Sequence, residues 1–456
     1  MNPRKLFIAS CIALVTSAFT FSIRGDILPA LGDEFGLTQE QRGWIASGAF
    51  TGMAVSMLVG APLCDLLGMG NILRLAFLCH LIGVIGTIFA PDGGLAFTIL
   101  YGSTFIAGCG NGLVEIGINP LAATLYPKQK THYLNILHAW WPGGMVLGGL
   151  LAIAISKAMG LGVEGISEAT SSLGWKVKMG MILIPTLAYG AMFLGQKFPV
   201  TERVASGVST SEMYREALRP MFLLWAFCML LTAATELGPQ QWQNSVLTRT
   251  AGVSGTLILV YTSGMMFVLR HFAGPLAHRF SPIGMLTGSA VLSAIGLFLL
   301  SHANSATTAF AFATIFGLGI AYFWPTMLGV TAERFPKGGA LLLGLMGCVG
   351  NLSIAAVLPE MGRIVDHYTT KNLSPSVAEL VVKDGKPDFV AIQALTGDAA
   401  DEADSALAIG FAMAFRWVSI LPTFLVVVFA GIVLYDRSQG GYKAVELSPG
   451  VEPSGP

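Results

Sequence analysis

Charge is what this sequence of 456 residues has least of: Asp, Glu, Lys and Arg make up 11% of it, where soluble domains carry about 25%. A soluble fold of this length could build a large core but would still need a polar surface to cover it. With 54% hydrophobic residues and 55 glycines, the chain has mostly apolar surface to present. It reads as a membrane protein in which small residues let helices approach closely. Its formal net charge is zero, so no global field points toward nucleic acid or an acidic partner. Metal and disulfide chemistry are missing too. Cys11, Cys64, Cys79, Cys109, Cys228 and Cys348 stand singly, with neither ligand spacing nor a pairing framework. Gly108-x-Gly110-x-Gly112 lies in an apolar run with no strand before it, which excludes a phosphate loop. No nucleophile–base set stands out, so the reading is not an enzyme, without cofactor or metal. Ile8-Ala9-Ser10-Cys11 looks like a lipoprotein cleavage box, but the apolar stretch follows the cysteine instead of preceding it.

What is present is a series of long apolar runs. A membrane helix needs about 20 such residues, and twelve runs qualify: 6–31, 43–66, 72–90, 96–125, 132–157, 177–197, 219–245, 255–276, 284–302, 307–332, 339–364 and 406–434. Placing both termini in the cytoplasm puts fourteen Lys and Arg on the inner side and eight on the outer, with Arg24, Arg270, Arg363 and Arg416 inside or at the ends of helices. That bias favours termini-in. Residues 198–218 are polar and amphipathic and read as a cytoplasmic linker between an N-terminal half, 1–197, and a C-terminal half, 219–434. Residues 366–405 read as a long outer loop, and 435–456 as a disordered cytoplasmic tail. An internal repeat supports the halves. Asp26-Ile-Leu-Pro29 recurs 210 residues later as Glu236-Leu-Gly-Pro239. Gly60-Ala-Pro-Leu answers Gly274-Pro-Leu, and Asn119-Pro120 answers Trp324-Pro325. The fold class expected is an all-α membrane protein of twelve transmembrane helices in two pseudo-symmetric six-helix halves, as in secondary transporters.

Ionisable residues inside apolar helices cost about 2.5–3.5 kcal/mol each on insertion scales and mark function or pairing. Asp26, Glu115, Glu236 and Glu360 are the four carboxylates so placed. Glu115 and Asn119 share one helix face, and Pro120 frees backbone carbonyls beside them. Glu115 is read as a proton carrier, against the alternative of a fixed pair with an Arg. Asp26 is either a second protonation site or an interfacial charge; Arg24, two residues before it, faces another side. In helix 5, Asn135, His138 and Trp141 fall close to one face, a set of amide, imidazole and ring that suits a neutral carbohydrate; the alternative is an interfacial Trp pair with a buried His satisfied by a neighbouring helix. Helix 7 adds Glu236, Gln240, Gln241, Trp242 and Asn244, and Asn351, Tyr322 and Trp324 come from helices 11 and 10. Asp65 and Arg74, in the turn after helix 2, are candidates for a latch between helices, with Arg279 after helix 8 as a further gating candidate.

At these residues the sequence resembles the fucose–galactose–glucose/proton symporter family of the major facilitator superfamily. The resemblance runs along most of the chain. It is carried by Asp26-Ile-Leu-Pro29, by Gly-Leu-Val-Glu115-Ile-Gly-Ile-Asn119-Pro120, and by Leu134-Asn135 with the helix that follows. Arg279-Phe-Ser-Pro282 and Tyr322-Phe-Trp-Pro325-Thr326 add weaker matches. It implies the major facilitator fold, with Asp26 and Glu115 as the carboxyls tied to proton coupling and His138 near the sugar. Ile23, Arg24 and Gly25 replace polar residues of the family pattern, and Glu236 is an added acid. The expectation is a monomeric importer in the inner membrane that carries a neutral hexose or related solute with a proton by alternating access. Alternatives are a sodium-coupled sugar symporter, an exporter or antiporter of a drug-like or cationic metabolite held by Glu236, and a transport-dead sensor using 366–405.

Overall fold

A computed structural model describes residues 2–37, 39–160, 172–253, 255–383, 385–388, 391–392 and 394–447. Helices α1 (Pro3–Glu34), α2 (Gln39–Leu67), α3 (Met69–Ile88), α4 (Ala96–Leu125) and α5 (Lys130–Ala158) are followed by a pair, α6 (Ser172–Gly180) and α7 (Leu183–Phe193). The short α8 (Glu202–Ala205) and α9 (Thr210–Ala217) lead into α10 (Pro220–Ala251), then α11 (Gly255–Arg270) with α12 (Ala273–Phe280), and α13 (Pro282–Leu300). After them come α14 (Ala306–Ile320) with α15 (Phe323–Arg334), α16 (Gly339–Lys371), α17 (Pro375–Val381), and finally α18 (Asp398–Val418) with α19 (Ile420–Ser438). Among the described residues, ten stretches are long and apolar enough to cross a membrane, and the α11–α12 pair, bent by 65°, makes an eleventh. The α6–α7 pair occupies the remaining place in the chain order. Helices serve here because each satisfies its own backbone where water is absent.

Proline sets where these helices break. The expected runs 177–197, 255–276, 307–332 and 406–434 are each two helices, parted at 181–182, 271–272, 321–322 and 419. Pro185, Pro275, Pro325 and Pro422 lie just beyond those breaks. Proline lacks the N–H that the carbonyl four residues earlier needs, and its ring crowds that carbonyl. Pro120 and Pro142 stay inside continuous helices α4 and α5.

The region 366–405 is shorter as a loop than expected. α16 runs on to Lys371, α18 already starts at Asp398, and between them lie α17 and a two-residue hairpin pairing Val382 with Pro387. Nor is the tail free of structure. α19 continues to Ser438, and Tyr442 and Val445 are bound to α15; only 448–456 of that expectation falls outside the described residues.

The two halves pack by corresponding pairs. α1 lies on α5 as α10 lies on α16, and α3 lies on α4 as α13 lies on α14. Across the divide α2 meets α16 and α5 meets α11, which exchange under the same pseudo-symmetry. Within the first half α2 and α4 touch backbone to backbone. A Cβ on Gly52 would stand 2.1 Å from the Phe105 carbonyl oxygen, and one on Gly108 would stand 2.2 Å from that of Ala49. Gly52→Val is therefore expected to cost about 3 kcal/mol or more, read as early thermal unfolding in detergent. Gly431→Ala, with open space around it, should unfold with the wild type; equal behaviour of the two variants would contradict this packing.

Candidate functional site

A cavity of about 320 Å³ lies between the halves, at the small end of the about 300–1,000 Å³ usual for small-molecule sites. Its walls are mostly apolar and aromatic. Phe21, Phe50 and Trp141 line it from the first half, and Trp324, Leu237, Leu259 and Ile354 from the second. Phe21 touches both Phe50 and Trp141, with ring centroids 4.9 and 5.3 Å apart. The polar groups that interrupt this lining include Glu115, His138, Glu236, Gln240, Gln241, Arg270 and Asn351.

Six of the expected contact residues thus meet in one place: His138, Trp141, Glu236, Gln240, Gln241 and Asn351, beside Glu115. Asn119, Asn135 and Asp26 do not line it, and neither do Trp242, Tyr322 and Glu360. Asn119 stands behind Glu115, donating from Nδ2 to Oε2 at 2.7 Å. Asn135 ties α5 to α15 instead, with Nδ2 bonded to the Thr131 carbonyl and to Thr326 Oγ1 at 3.2 Å. Asp26 is paired with Lys178 Nζ at 2.7 Å on α6, a lysine expected in an outer loop and found buried. Glu360, expected as a buried carboxylate, is exposed and paired with Arg363. Tyr322 bonds the Leu269 carbonyl at 2.9 Å, and the Asn244 side chain lies outside the described residues.

Glu115 is 5% exposed and, among the described residues, no Arg or Lys bonds it. Its neighbours are neutral donors. Because the Asn119 amide nitrogen faces Glu115, its oxygen faces His138 Nε2 at 2.9 Å, which assigns the imidazole proton to Nε2. The same nitrogen lies 3.7 Å from Glu115 Oε2. The alternative of a fixed Glu115–Arg pair is therefore absent.

Glu236 has the cation that Glu115 lacks. Arg270 Nη2 bonds its Oε1 at 3.0 Å, with both side chains buried. The other arms of Arg270 repair proline damage. Pro142 frees the carbonyl of His138 and Pro325 that of Ala321; Arg270 Nη1 donates to the first and Nε to the second, each at 2.7 Å. One guanidinium so joins α5 of the first half to α10 and the α14–α15 break of the second. Sequence reasoning left Arg270 unassigned. Its signal was there: an Arg in an apolar run, with an acid in the neighbouring helix and prolines four residues beyond two carbonyls. A second buried polar group was also missed, in which His80 bonds Asn111 Oδ1 at 2.9 Å and the Tyr189 hydroxyl at 3.0 Å, and Asn111 Nδ2 donates to Thr20.

A sequence profile of the Major Facilitator Superfamily matches residues 9–358. The chain belongs to the major facilitator superfamily. The gentisate transporter of Corynebacterium glutamicum is 23% identical over 381 residues, covering 76% of this chain and 79% of that one. The niacin transporter NiaP of Acinetobacter baylyi is 26% identical over 139 residues, covering 29% and 30%. Among solved structures, the outward conformation of FucP, the fucose:proton symporter of E. coli, matches with a TM-score of 0.65 at 17% identity over 92% of this chain and 98% of that one. The proton:xylose symporter XylE of E. coli matches with a TM-score of 0.73 at 12% identity over 94% and 96%. At such identities the structural likeness speaks for the fold alone.

The halves meet on the face that carries the linker, the start of α1 and Tyr442. The expected Asp65–Arg74 latch is not formed. Asp65 instead accepts from Arg203 Nε at 2.6 Å and Thr201 Oγ1 at 2.7 Å, both in the linker, while Arg74 bonds Asn71 and exposed Arg279 lies over the Phe280 ring. Asp65 and Arg74 line the same pocket, but each has another partner there, because the linker folds back over the end of α2 and brings Arg203 and Thr201 to Asp65. Lys130 Nζ bonds Glu202 Oε2 at 2.5 Å and the Ala332 carbonyl at 3.2 Å. Glu333 Oε1 accepts from the Thr131 N–H and hydroxyl, and Oε2 from the Tyr442 hydroxyl at 2.5 Å. Desolvation, with the Glu333 carboxylate adding to it, raises the Tyr442 phenol above its ordinary range, so it remains a donor at neutral pH. Glu333→Ala should speed amide hydrogen exchange at Thr131 by about tenfold or more, since bonds to a charged acceptor are worth about 1.5–3 kcal/mol. An unchanged rate would mean that this contact does not hold the face shut.

Proposed function

We propose that this chain imports a neutral sugar together with a proton across the inner membrane, both termini cytoplasmic, by alternating access around the central cavity. The observation that carries the reading is Glu115: a carboxyl buried in the cavity wall with only neutral partners, Asn119 and His138. A bare carboxylate in a closed, dry cavity is costly, so the loaded, closing form holds Glu115 protonated, and release of the proton inside resets the carrier. Trp141 and Trp324 supply ring faces for the apolar side of a sugar, and Gln240, Gln241 and Asn351 supply hydrogen bonds. The contacts between halves at Asn135–Thr326, Thr131–Glu333 and Met57–Asn351 lie toward the face of α1's start and Tyr442; with that face cytoplasmic, they support reading this state as the one that receives solute from outside. Asp26, paired with Lys178, would serve as a second proton site only after that pair opens. The arginine pairing compensates Glu236, the acid on which the cationic-substrate alternative rested.

A second reading is an aromatic monocarboxylate. It is favoured by the names of the gentisate and niacin transporters and by the aromatic rings of the lining. Against it stands the ion pair of Arg270, the one arginine among the described lining residues, with Glu236, which leaves no net positive charge for a carboxylate. Because two tryptophans line the cavity, binding is measurable as a change in intrinsic fluorescence. Purified protein titrated with L-fucose, D-galactose, D-glucose, D-mannose, gentisate and nicotinate should respond to at least one sugar, and the response should shrink in Trp141→Phe. A response to the acids with none to any sugar would decide for the second reading.

A further inference from the structure

The pair formed by Glu236 and Arg270 has hydrogen-bonding capacity left over on the wall of the cavity. Glu236 is 4% exposed, and its Oε2 has no hydrogen-bond partner among the described residues. A buried carboxylate oxygen left bare has lost its water for nothing in return. The side chain lines the cavity, where the Trp324 backbone N–H is its other neighbour, and a turn of the carboxylate brings this oxygen to a donor arriving there. Arg270 has the complementary surplus. A guanidinium carries five N–H bonds, and those to Ala321, His138 and Glu236 leave one hydrogen on each terminal nitrogen. Both side chains line the cavity, and their direct bond of 3.0 Å holds the free acceptor beside the free donors.

Resting on the sugar reading above, we propose that Glu236 and Arg270 form a subsite for a vicinal diol. One hydroxyl donates to Glu236 Oε2, and its neighbour on the next carbon accepts from Arg270. A lone hydroxyl can serve both only by bridging them through one oxygen, whereas a gauche vicinal pair gives each partner an oxygen of its own; a trans-diaxial pair points its oxygens apart. The pair is neutral as a whole, so a neutral diol completes it without disturbing the charge balance. The ring of Trp324, lining the same wall, gives the carbon skeleton an apolar face to lie on. The nearby Gln240 amide is directed at Met266 Sδ, 3.4 Å away, and does not compete for Oε2.

The test uses deoxy sugars. Binding of L-fucose, D-galactose, D-glucose and D-mannose is measured by intrinsic fluorescence, followed by the 2-, 3- and 4-deoxy analogues of the sugar that binds most tightly, on wild type and on E236Q. In the wild type, loss of either member of one adjacent hydroxyl pair should weaken binding about 10- to 100-fold, as for a bond to a charged group. In E236Q the penalty for one of those two positions should nearly vanish while the other persists. Penalties that are the same in both proteins overturn the subsite and leave the sugar reading standing. Absence of binding by all four sugars overturns the sugar reading and the subsite with it. Should E236Q not fold, the wild-type series decides by itself: adjacent positions support the subsite, and scattered ones overturn it.

Discussion

In proteoliposomes, Glu115→Gln is expected to bring gradient-driven accumulation to parity between inside and outside while preserving exchange of labelled for unlabelled sugar. Gln keeps the shape of a protonated carboxyl and its contact with Asn119, but it has no proton to release. The loaded carrier can then reorient in both directions, while the empty carrier is no longer returned by deprotonation. For the wild type, every 1.4 kcal/mol of gradient supports about tenfold accumulation, so the contrast is large. Loss of exchange as well, in a protein that still binds sugar, would make Glu115 a structural or binding residue and remove it from proton coupling.

The second large effect concerns Arg270. Removing one partner of a buried ion pair costs about 3–5 kcal/mol, because the other charge is left uncompensated. Arg270→Met leaves Glu236 bare and orphans the carbonyls of His138 and Ala321. It should lower the unfolding midpoint in detergent severely. Combining it with Glu236→Gln should recover the part of the loss that comes from the stranded carboxylate, giving a coupling of about 2 kcal/mol. What stays lost in the double variant measures the two proline-freed carbonyls. Strict additivity of the two single changes would show that the ion pair is not formed in the protein.

Both effects were within partial reach of the sequence. Apolar runs and the scarcity of charge point to a twelve-passage membrane fold, and a matched repeat around Asp26 and Glu236 points to two halves. Glu115 and His138 could be found because helical spacing puts chemistry on one face, and helical spacing is local. Partnerships across helices were out of reach. Nothing in the order of residues says that Asp65 is taken by Arg203 of the linker and not by Arg74, or that Lys178 comes to lie against Asp26. Asn119 and Asn135 illustrate the limit from the other side: each is polar and correctly placed along its helix, yet the turn of the helix aims one at Glu115 and the other at α15. The helix breaks were legible in principle. Each falls three or four residues ahead of a proline, where the ring crowds the preceding turn, although Pro120 and Pro142 leave their helices continuous; the same rule leads from Pro142 and Pro325 to Arg270.

Proton-coupled sugar import is tested most directly by uptake into proteoliposomes, with L-fucose, D-galactose, D-glucose and D-mannose supplied separately under an imposed inward proton gradient. At least one of them should accumulate above its outside concentration, the accumulation should collapse when a protonophore is added, and replacing external sodium should change nothing. Accumulation that follows sodium and ignores the proton gradient, or a protein that moves none of the four sugars under either, would contradict proton-coupled sugar import.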